Sequence, residues 1–347
     1  MRILILSNRF SGLKFFNLFS QDKDNIVFSL IEGCNKVDLQ TNEDIIDFVE
    51  GNVIDFILVG DEKYIDDDLF ENLNEYNLDI FSPCQDAVEI SKSKSFAKKF
   101  MYKNKILTPN FQIYDKIQVA LDSVKNLSSP VAIKPDVHNF KQRTVFCETQ
   151  TQCERAIKNL FQNDCSKIII EDYIEGKNIT IWTLSDGFKA QILGTCAKYQ
   201  DVVSYFEPEF VDENIKNDAI ENYINPTISR LSYVSDEYIG ILGFDFILDR
   251  ENKLNLTGYK SFFDDIDVDF FIQGFNVNWL DIFKDTIKGD VFLNNEIKPK
   301  NEYMLSLRGD EKIEFIEAKT LSNLELYLKE LNFDDNEYKE AKRIWKQ

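Results

Sequence analysis

The chain has a single histidine, His138, no CxxC pair and no excess of positive charge, and each lack removes a class of function. One imidazole leaves little for a histidine-built metal centre or a hydrolytic triad, and His138 reads as a loop residue rather than an acid-base group. Six cysteines, Cys34, Cys84, Cys147, Cys153, Cys165 and Cys196, are scattered without ligand spacing, so they read as buried free thiols and not as a zinc site or redox pair. Against 60 Asp and Glu stand 40 Lys and Arg, giving a net charge of -20. A polyanion would have to approach an anion with no basic patch to release counterions, which argues against nucleic acid. No stretch approaches the roughly 18 consecutive apolar residues of a spanning helix. The apolar run within Arg2 to Leu6 is short and reads as a first buried strand, not a signal peptide, so a cytoplasmic protein without a membrane segment is expected.

What is present describes a globular chain. Its 347 residues allow two or three compact units, and 44% apolar and 13% aromatic residues supply their cores. Short apolar runs at Arg2 to Leu6, Asn25 to Ile31, Asp55 to Gly60 and Asp79 to Pro83 alternate with amphipathic stretches at Gly12 to Phe19, Asn42 to Glu50 and Asp67 to Glu75. That alternation predicts an open, largely parallel sheet with helices on its faces. One long helix is expected from about Gln85 to Lys103. From Pro130 the strands lengthen, at Val131 to Lys134, Thr144 to Glu148, Lys167 to Ile174, Asn178 to Leu184 and Phe188 to Leu193, with a helix over Thr151 to Gln162. This is an α+β pattern beside the α/β one. A helical stretch over Asn214 to Tyr233 leads to a hairpin, Gly240 to Leu248 and Lys253 to Tyr259, turning at Asp249 to Asn252. A second hairpin, Tyr303 to Lys319, turns at Gly309 and Asp310, and amphipathic helices are expected after it.

Three separated segments carry a family resemblance. The first runs from Ile80-Phe-Ser-Pro-Cys through Ser93-Lys-Ser-Phe-Ala-Lys-Lys-Phe-Met101 to Thr108-Pro109; the second is Pro130-Val-Ala-Ile-Lys-Pro-Asp136; the third is Ile168-Ile-Ile-Glu-Asp-Tyr-Ile-Glu-Gly-Lys-Asn178. In order and spacing they resemble the ATP-grasp ligases, and specifically the phosphoribosylamine-glycine ligase group of purine biosynthesis. The resemblance covers residues 1 to about 285. It implies an N-terminal Rossmann-like preATP-grasp domain over 1–104, an ATP-grasp domain over 105–285 with a small lid module at about 110–185, and a short C-terminal α+β region over 286–347. It also implies ATP as ligand, with Lys94 and Lys134 on the phosphates and the hinge Glu171, Tyr173, Ile174 and Asn178 on adenine and ribose, and Mg²⁺ between phosphates and protein.

Departures from the family pattern cluster at the phosphate end. The loop Val137 to Thr144 has no glycine to let backbone N–H groups close over phosphates, although Lys141 and Arg143 offer charge. The two metal positions of the late hairpin, which strand alternation would point to one face, are Thr257 and Tyr259; Asp245 is left as a metal ligand. Asn178 replaces the ribose acid, and Ser7 to Gly12 replaces a glycine-rich turn. The run Asp264, Asp265, Asp267 and Asp269 reads as solvated, with a rebuilt metal site beside Asp245 as the alternative. The aromatics of Tyr199 to Phe210 read as packed beneath a loop, with a partner surface as the alternative. Three functional readings follow: a nucleotide-binding relative with weak or no ligase activity, an active carboxylate-amine ligase with phosphoribosylamine and glycine as first candidate substrates, and a scaffold that binds no nucleotide.

Overall fold

The computed structural model describes residues 1–125, 129–137, 144–199, 203–234, 237–294, 297–300, 303–308, 313–320 and 323. Strands β1 (Arg2–Leu6), β2 (Ile26–Ser29), β3 (Phe56–Val59) and β4 (Asp79–Phe81) form a parallel sheet in the order β2-β1-β3-β4. Ile3, Leu4, Ile5 and Leu6 are fully buried, as a strand covered on both faces requires. Helices Phe10–Phe19, Asn42–Asn52 and Asp67–Leu73 follow the first three strands. The second starts at a capping box in which Thr41 and Asp44 satisfy each other's backbone N–H groups.

The expected single helix over Gln85 to Lys103 is two, Gln85–Lys92 and Lys94–Lys103, because Ser93 is extended and caps the second by accepting from Phe96 N–H. The break is held from outside. Asp136 Oδ1 accepts from Ser93 Oγ (2.9 Å) and Ser95 N (2.7 Å), its Oδ2 accepts from Ser95 Oγ (3.1 Å), and Lys94 N donates to the Asp136 carbonyl (2.9 Å). A carboxylate at a helix N-terminus meets unpaired N–H groups and the positive end of the helix dipole. This knot ties the helix bearing Lys94 to the strand bearing Lys134.

That strand belongs to a four-stranded antiparallel sheet: β5 (Phe111–Tyr114), β6 (Val131–Pro135), β7 (Val145–Cys147) and β8 (Ile168–Asp172), in the order β5-β8-β6-β7. β5 has no counterpart among the expected strands. The helix Gln150–Gln162 covers one face, opened by a Thr149–Gln152 capping box. His138, Lys141 and Arg143 lie outside the described residues, as do Gly309, Asp310 and the helices expected near the C-terminus.

The largest sheet is antiparallel with seven strands: β9 (Gly176–Asp186), β10 (Ala190–Tyr199), β11 (Val203–Phe206), β12 (Ile239–Asp249), β13 (Leu254–Lys260), β14 (Tyr303–Arg308) and β15 (Ile313–Ala318), in the order β13-β12-β9-β10-β11-β14-β15. One face packs Phe244, Phe246, Leu256 and Tyr259 against helices Glu213–Ala219 and Asn225–Val234, which are joined by a π-turn at Ile220–Ile224. Pro226, without an N–H for the carbonyl four residues back, accounts for that widening. The other face packs Trp182 and Phe206 against Phe270, Phe271, Phe275 and Trp279. Tyr205 and Phe206, expected beneath a loop, are buried within strand β11 instead. Five of the six cysteines are buried and Cys84 is half-buried; none is in a disulfide. Among the described residues no helix is long and apolar enough to cross a membrane.

Replacing Asp136 by Ala removes the acceptor for three donors at one helix end. Loss of about 2 kcal/mol is expected, seen as a lower urea midpoint with an unchanged slope.

Candidate functional site

The two antiparallel sheets and the helix Lys94–Lys103 enclose a cleft of about 310 Å³. Lys94, Lys134, Glu171, Tyr173, Ile174, Asn178, Asp245 and Thr257 all line it, from positions far apart in the chain. Tyr259 does not. Its ring is buried on the opposite face of β13, with its hydroxyl 3.1 Å from Thr227 Oγ1.

At one end the lining is apolar, with Ala132, Phe146, Tyr173, Ile174, Ile179 and Ile247. The Tyr173 ring, 41% exposed, meets Phe146 edge-on, while its backbone N–H donates to the Pro130 carbonyl. β8 passes into β9 through Gly176, where a Cβ would sit 2.2 Å from the Leu248 carbonyl oxygen, so no other residue fits this close approach of the hinge to β12.

Toward the other end the lining is charged. Glu171, 3% exposed, is an ion-pair partner of both Lys134 and Lys98, with Lys98 Nζ 2.7 Å away. Burial raises the Glu171 carboxyl pKa, but the two ammonium groups outweigh it and the net shift is downward. Lys98 in turn donates to Thr108 Oγ1 (2.6 Å), which donates to the Leu256 carbonyl (2.8 Å), so the hinge carboxylate is linked to the late hairpin. Burial lowers Lys98 to about 8. Lys94 is lowered to about 8 by burial and then by the neighbouring Lys134 charge.

The late hairpin departs from simple alternation. A bulge falls between Asp245 and Phe246, where Thr257 is the extra residue opposite β12. Leu254 and Leu256 are core residues, Thr257 and Gly258 are both partly exposed, and Tyr259 returns to the core. Thr257 and Tyr259 therefore point to opposite faces, contrary to the expected pairing of the two metal positions, and Lys260 emerges on the cleft side. Its ammonium donates to Asp245 Oδ1 (2.9 Å) and to Asp264 Oδ2 (2.7 Å). Thr180 Oγ1 donates to the same Asp245 oxygen (2.7 Å), and Thr257 Oγ1 to the Asp245 carbonyl (3.0 Å).

Half of the acidic run is shut away from solvent, while Asp264 and Asp265 stay partly exposed. Asp267 and Asp269 are 0% exposed. Asp267 accepts from Trp182 Nε1 (2.8 Å) and Ser204 Oγ (2.6 Å) and pairs with Lys198, which also pairs with Asp264. Asp269 pairs with Lys14 Nζ at 2.8 Å. For Lys198, burial opposes the charge, yet Asp264 and Asp267 push its pKa well above the ordinary lysine value. Lys260 is raised in the same way by Asp245 and Asp264, and Asp264, partly exposed, is driven below the ordinary carboxylate range because Lys198 and Lys260 outweigh its desolvation. Among the described residues no group of three His, Cys, Asp or Glu comes together to hold a metal. Lys98, Lys198 and Lys260 were not singled out from the chain. Lys98 stands one helical turn after Lys94 and could have been found from that spacing; nothing local marks the other two.

A family model for the phosphoribosylglycinamide synthetase ATP-grasp (A) domain matches residues 92–268. The phosphoribosylamine-glycine ligase of Clostridium acetobutylicum is 31% identical over 159 residues, which is 44% of this chain and 38% of that protein. That of Fusobacterium nucleatum is 23% identical over 244 residues, covering 65% of this chain and 57% of the relative. The matched segment thus spans less than two thirds of these relatives' lengths. The crystal structure of phosphoribosylamine-glycine ligase from Thermotoga maritima superposes with a TM-score of 0.75 at 14% identity, over 95% of this chain and 96% of that one. A biotin carboxylase structure from Campylobacter jejuni, described as a complex with β-γ-ATP, gives 0.65 at 16% identity, over 88% and 75%.

The depressed Lys94 sets a stability test. With a folded value of about 8 against an ordinary 10.5, the unfolded chain binds more protons between those pH values, so stability rises as pH climbs through that window. Lys94→Met removes the cost of holding the ammonium charged. It should raise stability at pH 7 by about 1 kcal/mol after allowance for solvent screening, with the gain fading toward pH 10 in urea titrations.

Proposed function

We propose that this chain, which belongs to the phosphoribosylglycinamide synthetase ATP-grasp family, binds an adenine nucleotide in the cleft and has weak or no ligase turnover. The apolar end suits a purine base, and Lys94 and Lys134 stand where a polyphosphate would extend from it. Bound ATP would bring a phosphoryl group for transfer to a carboxylate. Lys134 would contact phosphate, with Glu171 and Lys98 fixing its position.

Magnesium is the other group the family implies, and the residues present do not fit it. Mg²⁺ calls for oxygen ligands, usually carboxylates shared with phosphates. Thr257 has only a hydroxyl, already donated to the Asp245 carbonyl, and Tyr259 lies in the core. The observation that carries the proposal is that Asp245, at the phosphate end of the hairpin, is already neutralised by Lys260. Phosphoryl transfer needs charge neutralisation on the γ-phosphate as it develops, and a divalent clamp normally supplies it.

One observation favours the active-ligase reading. A second cavity of about 610 Å³, lined by Asn8, Arg9, Asp61, Glu62, Asp265 and Arg308 among others, borders the cleft and shares Lys260 with it. Such a neighbour could admit a second substrate. Phosphoribosylamine and glycine, the substrates in the relatives' name, are the first to try.

Millimolar ATP should raise the melting temperature, as any ligand selective for the folded state must. Phosphate release with phosphoribosylamine and glycine should stay near background; turnover of about 1 per second or more would reject the proposal in favour of the ligase. Under that outcome Lys134→Ala should abolish release while leaving the fold intact. An unchanged melting temperature would leave the scaffold reading.

A further inference from the structure

We infer that the ammonium of Lys260 takes the place of the divalent cation at the phosphate end of the cleft, so that the nucleotide is bound free of metal. This deepens the nucleotide-binding reading and rests on it.

The case begins with strand geometry. Strict alternation after Leu256 would send Lys260 to the core side of β13. The bulge opposite Asp245 shifts the phase by one residue, and Lys260 reaches the cleft, where it bridges Asp245 Oδ1 and Asp264 Oδ2 at 2.9 and 2.7 Å. A cation held between two carboxylates from different elements is the arrangement a bound divalent ion would make, here built from the chain itself. Among the described residues each neighbouring acid is also supplied with donors: Asp245 by Thr180, and Asp267 by Trp182, Ser204 and Lys198.

Competition follows from these contacts. A magnesium ion on Asp245 would have to compete with Lys260 and Thr180 for Oδ1, or take Oδ2 and stand beside the Lys260 ammonium. Nearby side chains offer it little: Thr257 brings no charge, and Asp264 is already paired with Lys198 and Lys260. A phosphate meets a different situation. An ammonium has three protons to donate, and Asp245 and Asp264 take two, leaving one for a phosphate oxygen. Lys94, Lys134, Lys198 and Lys260 line the same cleft, Lys134 held by Glu171 and Lys198 by Asp264 and Asp267, so uncomplexed phosphates would face ammonium groups already positioned, each with protons beyond those its carboxylates take.

The test is calorimetric titration of the full chain with ATP, once in excess EDTA and once in millimolar magnesium. The expected result is affinity equal within about threefold in the two buffers. Lys260→Ala should weaken binding in EDTA by about tenfold or more, with magnesium restoring part of it because Asp245 and Asp264 are freed. Lys260→Arg, which keeps the cation, should retain binding in EDTA. Melting of each variant without nucleotide reports whether it folds, and the wild-type comparison decides even if the Ala variant does not. Binding about tenfold tighter with magnesium than with EDTA would overturn the inference while leaving the nucleotide-binding reading standing. Absence of binding in both buffers would overturn both.

Discussion

A single extra residue in one strand governs the character of the cleft. The bulge that sets Thr257 against the Asp245–Phe246 step divides β13 into two segments of opposite phase. Before it, Leu254 and Leu256 fill the core; after it, Tyr259 does so, making edge-on contacts with Phe100 and Phe244. The aromatic ring anchors the new phase, since flipping it back would drive a tyrosine into a charged cleft and bury an ammonium among phenylalanines. Burial of the ring stabilises by roughly 2 kcal/mol, whereas an unpaired buried ammonium costs several. Core packing thus dictates that Lys260 faces the carboxylates.

The charges in the cleft form two linked groups. Lys98, Glu171 and Lys134 tie strands β6 and β8 to the helix Lys94–Lys103 and, through Thr108, to β13. Lys198, Lys260, Asp245, Asp264 and Asp267 tie β10, β12 and β13 to the segment after the hairpin. Buried pairs of this sort gain little net stability against apolar replacements, because desolvation offsets attraction, but removing one partner is severe. They hold geometry instead. The cleft is arranged by protein charge before any ligand arrives, which reduces the ordering a ligand must bring about.

The fold is legible in the chain wherever one local rule dominates. Fully apolar runs such as Ile3 to Leu6 announce buried parallel strands, and the amphipathic stretch from Thr151 to Gln162 announces a helix, whose start at Gln150 is set by the Thr149–Gln152 capping box. The gathering of Lys94, Lys134, the hinge and Asp245 around one cleft is legible only through the order and spacing of three motifs and the late hairpin that follows them, because side chains from different sheets share no local pattern. Other features escape because distant contacts override local signals. Ser93 interrupts a continuous helical pattern because Asp136, 43 residues away, offers its N-terminus better partners. The acidic run reads as solvated because repulsion between neighbours is visible in sequence, while Lys198 and Lys14, which neutralise it, come from other elements.

The two faces of the hairpin explain how the fold can be kept while the residues lining the cleft vary. On the core face, Phe244, Phe246, Leu254 and Leu256 need only volume and apolarity, and they keep the sheet in place irrespective of what lines the cleft. On the cleft face, Asp245, Thr257 and Lys260 contribute little to that packing, so charge there can change sign without loss of the core. The faces are not fully independent, because a bulge moves every later residue across the sheet. Placing a large ring at 259 and a lysine at 260 is therefore a coupled pair of choices: Tyr259 consolidates the shifted phase, and that phase delivers a cation to Asp245. A carboxylate placed at position 257 alone would still face the ammonium of Lys260, so building a divalent site there requires removing that lysine as well.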